Sequence, residues 1–582
     1  MKILIKYKYA VLFLVLLLGC NKEFLEPNEE LVLSLEEYYA TLDESTISGL
    51  TSNMYGSDWF RYLDNSAACI QEIYSGNSFS GSGGFVDFFN GTLNPTSSRI
   101  SWAWQSHYTI IKRANDNLNG FYEAMQPDSE FLDRMAASPE FEKAVNTTLG
   151  ELRFFRAISY FNLVQLFGPI PLAYDNSKQL SDPESWKPIA EEDLYTYIIM
   201  DLEDAIAKLP ENRNPAQTNR LSKVSAKALL AKVYLTRGGE SFGQTDDFTK
   251  AAQLSDEVIN NTAGYRLMES YAENFDPKYS VDYFPEECLW GWTWQWTALF
   301  GSYGTQNVMQ SQIASGHFTG SWDGWSTFVP SVDLVESFDA DDQRRHATFM
   351  ENGNYYPEFW TEYTFPGQAN PGYVYYDGKV WWGTHSQSGT HIRKHLAGRA
   401  NSADGHIGPQ HTEVYTPIIR LSDLYLTYAE AILGKNSSTS DAKALGYFNT
   451  IRDRAGLEPL SSISYADIWN ERRHEFAFEF QSTNDLFRYH NLHPQEAINL
   501  LLNQRRGEYG FQIEPVIIDG KTAKDPFGVE LWQTIPSSKV YDDFKLTVVD
   551  DSYFQIPYPI EEINGNPFLN DAPARFDFDN YK

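Results

Sequence analysis

The segment GELRFFRAISYFNLVQLFGPIPL, residues 150–172, decides the fold class of this chain of 582 residues. Its apolar residues recur with the period of an α-helix that buries one face. Gly168 and Pro169 follow the last apolar turn, and both residue types favour the end of a helix. The segment therefore predicts an amphipathic helix that ends at Gly168.

Other segments share this period, and most of them occur in pairs. A single helix is predicted from Glu191 to Leu209, where Pro210 ends it. The predicted pairs are Ser222–Thr236 with Asp246–Asn260, Leu421–Leu433 with Asp441–Ala455, and Tyr465–Phe480 with Gln495–Gln504. Such pairs, with small alanines where the helices cross, resemble tetratricopeptide-type hairpins, although these repeats are degenerate and separated by long insertions. The sequence therefore predicts a mainly α fold on a scaffold of degenerate helix pairs.

Two stretches differ from these predicted helices in their amino-acid composition. From about Tyr265 to Thr416 the chain is rich in glycine, serine, tryptophan and tyrosine, which predicts short strands and long loops. Long loops in a compact domain are usually functional or disordered, and the aromatic content argues against disorder. A second glycine-rich stretch, Ser75–Trp102, precedes a helix predicted to begin near Ala103. We predict that the two stretches form one binding face.

The first twenty residues are typical of a lipoprotein leader. Three lysines precede an apolar run, Val11–Leu18, which is too short to span a bilayer and is followed by Gly19 and Cys20. A small residue before cysteine matches the lipobox, in which the thiol is acylated and the preceding residues are removed. The alternative is an ordinary signal peptide with a cysteine nearby. We expect residues 1–19 to be removed and Cys20 to become the lipid anchor.

Composition excludes several classes of protein. With 42% hydrophobic and 15% aromatic residues the chain can bury a large core, and it has no second apolar stretch long enough to span a membrane. The net charge of −32 argues against nucleic acid as a partner and disfavours polyanionic ligands. After Cys20 only Cys69 and Cys288 remain, so one disulfide is conceivable and its formation is left open.

Several segments resemble signature segments of the SusD/RagB family. Besides residues 150–172 they are NKEFLEPN (21–28), TPIIRLSDLYLTYAEAIL (416–433), RAGL (454–457), ERRHEFAFEFQSTNDLFR (471–488) and IPYPIEEINGNPFL (556–569). They cover nearly the whole chain in the family's order. Two departures concern classification within the family: RFFR stands where a leucine often follows the phenylalanine, and NGNPFLND lacks the usual QNPGY tail.

The resemblance implies a lipoprotein on the outer face of a Bacteroidetes-type outer membrane, which it contacts only through its lipid. Such proteins bind a nutrient oligosaccharide or polysaccharide and deliver it to a SusC-like TonB-dependent transporter, without catalysis, cofactor or metal. Residues 20–582 are then one SusD-like domain. Its parts are a helical part (20–264), a loop-rich and aromatic-rich insertion that faces the glycan (265–415) and a second helical part (416–582).

Tryptophan and tyrosine rings are the candidate glycan contacts, because pyranose C–H groups suit the negative face of an aromatic ring. Trp322 and Trp325 are the strongest candidates, since they lie among glycines with Asp323 between them and no helix or strand pattern predicts their burial. The further candidates are Trp296, Tyr303, Trp381, Trp382, Phe85 and Trp102.

Four tryptophans alternate in LWGWTWQW, and a strand would place all of them on one face. Strict alternation within a strand usually marks a core, so Trp290 and Trp292 are predicted to be buried. Trp296 stands where the strand leaves into a Gly-Ser-Tyr loop, and it remains a candidate for the glycan.

The charged residues of the segments that resemble the family are predicted to be structural. In ERRHEFAFEF the acids and arginines lie three or four apart, where they can pair with one another or with Arg488. Calcium at Asp339, Asp341 and Asp342 is conceivable, but the EF-hand spacing is absent and no metal is predicted. His391 and His395 would share a metal on a helix, and we favour a solvated loop instead.

Two alternative functions remain. A surface glycoside hydrolase would need a pair of carboxylates whose separation the sequence does not show. A peptide-binding helical scaffold would be indifferent to sugars. No nucleophile elbow, P-loop or zinc motif occurs in the sequence. The sequence does not identify the sugar; its acidic character favours a neutral glycan, with β-glucan as the first hypothesis.

Overall fold

A computed structural model describes residues 35–80, 83–179, 181–212, 214–216, 218–261, 264–279, 283–295, 304–313, 325–351, 354–356, 390–398, 407–408, 411–524, 530–541 and 544–581. The candidate residues that lie outside the described residues are Cys20, Trp296, Tyr303, Trp322, Asp323, Trp381 and Trp382.

Helices dominate the described residues. The longer ones are α1 (Ser98–Ala124), α2 (Glu130–Ala137), α3 (Pro139–Phe167), α4 (Glu191–Lys208), α5 (Lys223–Gly239), α6 (Asp247–Ile259), α7 (Leu421–Leu433), α8 (Ala442–Arg454), α9 (Tyr465–Phe476), α10 (Ser482–Leu492) and α11 (Pro494–Asn503). Short α-helices span Leu35–Ala40, Glu44–Gly49, Val86–Phe89, Asn176–Gln179, Met309–Ile313, Val332–Ser337, Gln343–Thr348 and Ile560–Gly565. Turns of 3₁₀-helix span Ser52–Tyr55, Ser57–Trp59, Pro183–Trp186, Tyr271–Phe275, Asp551–Phe554 and Phe578–Asn580, and π-helical turns span Tyr62–Ser66 and Ala68–Ile73.

Every strand in this part of the chain belongs to a two-stranded antiparallel pair. The pairs are Ser78–Phe79 with Val329–Pro330, Ile170–Pro171 with Pro188–Ile189, Cys288–Trp292 with Thr416–Arg420, Phe349–Met350 with His391–Ile392, Ile407–Gly408 with His411–Thr412, Ser438–Thr439 with Ile463–Ser464, Tyr509–Pro515 with Trp532–Tyr541, and Ile517–Ile518 with Lys521–Thr522. The prediction of a mainly α fold is confirmed, and the strands are short connections between helices.

The segment that predicts the fold forms most of α3. Ser138 caps the helix by accepting a hydrogen bond from the Phe141 amide at 3.2 Å, and Pro139 occupies its first turn. The helix ends at Gly168, whose φ of 72° is readily adopted only by glycine. Arg156 of α3 is buried and binds the Asp201 carboxylate of α4 at 2.7 Å, so the charge within this apolar helix is paired.

The helices pack as one continuous row. In this row α1 packs on α3, α3 on α4, α4 on α5, α5 on α6, α6 on α7 and α7 on α8. The α5/α6 and α7/α8 hairpins are the first two predicted pairs, and they stack through α6 and α7 although a long insertion separates them in sequence. The tetratricopeptide-type prediction is therefore confirmed for these two pairs.

The third predicted pair is wrong. Helix α9 ends at Phe476 rather than Phe480, and α10 stands between α9 and α11. Phe478 and Phe480 adopt φ values of 64° and 59°, which no helix accommodates. Both rings are buried in this conformation, and the Glu479 carboxylate between them binds Arg420 at 2.7 Å. Burial and a long-range ion pair thus outweigh the local helical pattern.

The charged side chains in the segment 471–488 are structural, as predicted. Their partners, however, are not the residues of ERRHEFAFEF that the sequence predicts. Arg420 binds Glu287 at 2.5 Å, Glu475 at 2.9 Å and Glu479 at 2.7 Å, and all four side chains are buried. Burial alone would raise the pKa of Glu475, and the guanidinium groups of Arg454 and Arg420 reverse this and hold its pKa well below the usual range. We call Arg420 and its three glutamates the buried ion cluster.

Arg488 does not bind the acids of ERRHEFAFEF. It binds Glu430 of α7 at 2.6 Å and Asp485 of α10 at 2.9 Å. Asp485 lies three positions before Arg488 on the same helix, whereas Glu430 comes from another helix, whose proximity the local sequence does not reveal. The predicted pairing within the segment is therefore wrong, although the arginine itself is paired.

A cluster of tryptophans connects the short strands to the helices. Trp290 and Trp292 are 1% and 2% exposed, which confirms the predicted burial. The ring of Trp292 stacks on that of Trp59, with centroids 5.3 Å apart. Trp294 is also buried, although the strand ends at Trp292, because its indole N–H donates to the Thr416 hydroxyl at 2.9 Å.

The two remaining cysteines, Cys69 and Cys288, are both buried and form no disulfide with each other. Stability therefore comes from packing and from buried ion pairs. In the described part of the chain, no helix combines the length and the apolar character needed to cross a bilayer.

Candidate functional site

The candidate aromatic residues lie in segments whose described ends are held together. The Gln295 amide donates to the carbonyl of Thr305 at 2.7 Å, so the chain on either side of Trp296 and Tyr303 is joined. The Trp325 amide donates in the same way to the carbonyl of Ser311 at 2.7 Å. Described residues on either side of 296–303 and of 314–324 are therefore hydrogen-bonded to each other.

His391 connects two of these segments. Its Nδ1 is 3.2 Å from the Ser326 hydroxyl, next to Trp325, and 3.2 Å from the carbonyl of Ile313. His391 also follows residues 357–389, which contain Trp381 and Trp382. This buried histidine therefore connects described residues that flank residues 314–324 and residues 357–389 in the sequence.

The expectation of a solvated loop for His391 and His395 is wrong. The two side chains are 0% and 2% exposed, and they lie in a strand and a turn rather than on a helix. His395 Nε2 is 2.7 Å from the carbonyl of Phe478, and burial lowers the pKa of His395 to about 4. The pair is internal packing because partners distant in sequence cover it.

The two glycine-rich stretches lie side by side, which one common binding face requires; that they bind a ligand stays a prediction. Phe79 pairs with Val329 in an antiparallel ladder, and the Ser80 hydroxyl donates to the carbonyl of Thr327 at 2.7 Å. The second stretch, Ser75–Trp102, is thereby fixed against the loop that contains Trp325.

An arginine stands between two aromatic candidates in the second stretch. The Arg99 guanidinium carbon is 4.9 Å from the ring centroid of Phe85 and 4.9 Å from that of Trp102. Phe85 is 4% exposed and packs against the guanidinium from the interior of the protein, whereas Trp102 is only half-buried. The guanidinium forms no hydrogen bond or ion pair with any side chain in the described ranges, so its N–H donors remain for solvent or a ligand.

Two polar residues connect this arginine to the Trp325 loop. Gln312 donates from its amide nitrogen to an Asp64 carboxylate oxygen at 3.2 Å. Asp64 lies in the π-helical turn Tyr62–Ser66. The hydroxyl of Ser66, the last residue of this turn, donates to the carbonyl of Arg99 at 2.8 Å. Such π-helical turns occur frequently at functional sites.

We call this surface the aromatic face. Its described members are Asp64, Arg99, Trp102 and Trp325, together with the buried Phe85 and Gln312, which contact Arg99 and Asp64 from within the fold. Trp325 itself is half-buried, so part of its indole ring reaches solvent.

Arg99, Asp64 and Gln312 were not predicted from the sequence. Helix α1 begins at Ser98, five positions before the expected start, and this places Arg99 and Trp102 on one helical turn. A basic residue three positions before a tryptophan is the signal that could have identified Arg99. Asp64 and Gln312 are far apart in sequence, and only the fold brings them together.

No group of three or more metal-binding side chains occurs among the residues the structure describes. Asp342, one of the three residues considered for calcium, binds the Arg344 guanidinium at 2.8 Å. Its carboxylate therefore belongs to an ion pair in the fold.

The described fold and face define a helical scaffold protein with a polar, aromatic surface. Residues 204–574 match the SusD family, and residues 32–235 match a family described as starch-binding and associating with the outer membrane. A SusD-like protein of Bacteroides ovatus is 30% identical over 593 residues, which cover 99% of this chain and 100% of that protein. The chain belongs to the SusD family.

Two further relatives are informative. The starch-binding protein SusD of Bacteroides thetaiotaomicron is 25% identical, over 70% of this chain and 77% of its own length. A crystal structure with xylogluco-oligosaccharide has a TM-score of 0.73 and 28% identity, and it covers 92% of this chain and 99% of its own. The family resemblance deduced from the sequence segments is thus confirmed.

Proposed function

We propose that this protein is a lipid-anchored, cell-surface glycan-binding protein that captures an oligosaccharide or polysaccharide at the aromatic face. It then delivers the glycan to a SusC-like TonB-dependent transporter of the outer membrane and catalyses no reaction on it. The observation that carries the proposal is the Arg99–Trp102 pair, which ends the glycine-rich stretch that is hydrogen-bonded to the Trp325 loop.

The chemistry of the face suits a sugar. Half-exposed indole rings, those of Trp102 and Trp325, offer faces on which pyranose C–H groups stack. The planar guanidinium of Arg99 has donors for ring hydroxyls, and the Asp64 carboxylate accepts hydrogen bonds. An apolar surface with a few oriented polar groups is the general pattern of small-ligand sites.

A neutral β-glucan is the proposed ligand class. The net charge of −32 repels polyanions, and it leaves a neutral chain of hydroxyls as the compatible ligand. Xyloglucan has a backbone of β-linked glucose, and a structural relative with a TM-score of 0.73 was crystallised with xylogluco-oligosaccharide. Xyloglucan is therefore the first glycan to test.

Arg99→Ala is expected to weaken the binding of a xyloglucan oligosaccharide about tenfold, because a hydrogen bond from a charged donor contributes roughly 1.5–3 kcal/mol. Isothermal titration calorimetry measures the change. Arg113→Ala is the matched control, since Arg113 lies on the same helix and binds Asp58 at 3.0 Å. Absence of binding to xyloglucan and to other neutral β-glucans by the wild-type protein would refute the proposal, and new reducing ends would show a glycosidase.

Cys20→Ala is expected to release the protein from the membrane fraction, because the proposed anchor is the acylated thiol of Cys20. Fractionation followed by immunoblotting measures the distribution, and Ser34→Ala, outside the lipobox, serves as the control. Mass spectrometry of the wild-type protein should detect acyl chains on Cys20. An unmodified thiol, or a variant that stays in the membrane, would contradict the anchor.

A further inference from the structure

A cavity of about 770 Å³ lies beside α1, next to the aromatic face. Its wall contains the half-buried rings of Tyr108, Trp186 and Phe568. Cavities that hold small ligands have volumes of roughly 300–1,000 Å³ and mostly apolar, aromatic walls. We call this cavity the α1 groove.

The aromatic side chains of the groove have their polar atoms directed into the protein. The Trp186 indole N–H donates to the carbonyl of Gln179 at 3.1 Å, and the Tyr108 hydroxyl donates to the carbonyl of Pro171 at 2.6 Å. Because the donors of both rings are already used, the surface that the rings offer a ligand is mainly apolar. This is the surface that stacks on pyranose rings.

The polar rim of the groove has no dominant charge. Arg61 donates to the Gln105 side chain at 3.0 Å, and Lys112 binds Asp116 at 2.6 Å. Glu562 supplies a carboxylate on the opposite wall. Positively and negatively charged side chains together supply hydrogen-bond donors and acceptors, which suit a neutral ligand with many hydroxyls. A polyanion or an acidic peptide would need an excess of positive charge.

The groove begins where the aromatic face ends. Gln105 lies one helical turn after Trp102 on α1, and Arg61 immediately precedes the turn that contains Asp64. Helix α1 rises about 1.5 Å per residue, so Arg99 and Thr109 are about 15 Å apart along it. One extended chain of sugar rings can therefore contact both surfaces.

We propose that the α1 groove is a second carbohydrate subsite, which binds a distal part of the same neutral glycan that the aromatic face binds. The inference rests on the proposed function and adds to it a preference for long chains. A short oligosaccharide occupies the aromatic face alone. A polysaccharide also stacks on Trp186 and Phe568.

The test compares a short xyloglucan oligosaccharide with xyloglucan polysaccharide by titration calorimetry. Trp186→Ala combined with Phe568→Ala is expected to weaken polysaccharide binding about tenfold or more and to leave oligosaccharide binding unchanged. Trp186→Phe retains a stacking ring and should stay close to wild type. Trp325→Ala, on the aromatic face, should weaken binding of both ligands.

Gly565→Leu tests the groove without removing any ring. A Cβ atom at this rim position meets no atom within 4 Å, so a larger side chain can be added at the groove without a clash at its base. Polysaccharide binding is expected to fall by the same factor as in the double variant.

Unchanged polysaccharide affinity in both groove variants would overturn the subsite and leave the aromatic face intact. If Gly565→Leu instead keeps its glycan affinity but no longer co-purifies with a transporter, the groove is a protein contact and the proposal is wrong. If the wild-type protein binds neither probe, the proposed function fails together with the subsite.

Discussion

Replacing Trp322 and Trp325 together with alanine is expected to weaken glycan binding about a hundredfold. Each aromatic ring that stacks on a ligand ring contributes roughly 1–3 kcal/mol, and the two losses add if the rings contact separate sugars. Trp325 is half-buried and its backbone amide is hydrogen-bonded to Ser311, so its position on the aromatic face is fixed by the fold. Trp322 lies outside the described residues, and its part in binding is a prediction from the sequence.

Calorimetry with a xyloglucan oligosaccharide and a thermal melting curve on the same double variant separate binding from folding. Loss of affinity with an unchanged melting temperature supports a role in binding. Trp290→Ala is the matched control, because this ring is 1% exposed and its removal should cost roughly 3–5 kcal/mol of stability. A double variant that behaves like Trp290→Ala would assign both residues to the core, and intact binding would exclude them from the site.

Arg420→Ala is expected to lower the free energy of unfolding by about 3–5 kcal/mol. The substitution would remove the one cation that all three of Glu287, Glu475 and Glu479 share, so that Arg454 and Lys394 would have to compensate a larger share of their charge. Removing one partner from a buried ion pair is costly because the remaining charge cannot be solvated. Urea unfolding, followed by far-ultraviolet circular dichroism, measures the loss.

Arg266→Ala is the control for Arg420→Ala, because Arg266 binds Glu286 at the protein surface where both side chains are about half exposed. Exposed ion pairs contribute little, so the unfolding midpoint of this variant should stay near that of the wild type. Equal stability of the two variants would show that the buried ion cluster contributes no more than a surface pair.

The spacing of apolar residues predicted helices correctly where nearby residues in the sequence also determine the ends of the helix. Helix α7 begins and ends at the predicted Leu421 and Leu433, and α3 stops at the glycine that allows a positive φ. The sequence also predicted the burial of Trp290 and the meeting of the two glycine-rich stretches. In these cases the structure that the apolar spacing and the turn residues favour locally is also the structure that tertiary packing favours.

Prediction failed where distant residues decide the local structure. Helix α9 ends early because the Glu479 carboxylate reaches Arg420 and Lys394 from a non-helical turn. His395 is surrounded by polar residues in sequence and by Phe478 and Phe480 in space. Arg99 was overlooked for a related reason, since its relation to Phe85 depends on how the glycine-rich stretch folds back on α1.

The buried ion cluster also bears on when the chain can fold. Arg420 and Glu287 are 133 positions apart, and Arg454 and Glu287 are 167 positions apart. Contacts of such separation form late, because long loops must close before they are made. Glu475 and Glu479 belong to the last part of the chain to be synthesised, so a ribosome-bound fragment that ends before α9 cannot complete the cluster. The buried ion cluster is therefore completed only after most of the chain, through α9 and Glu479, has been synthesised.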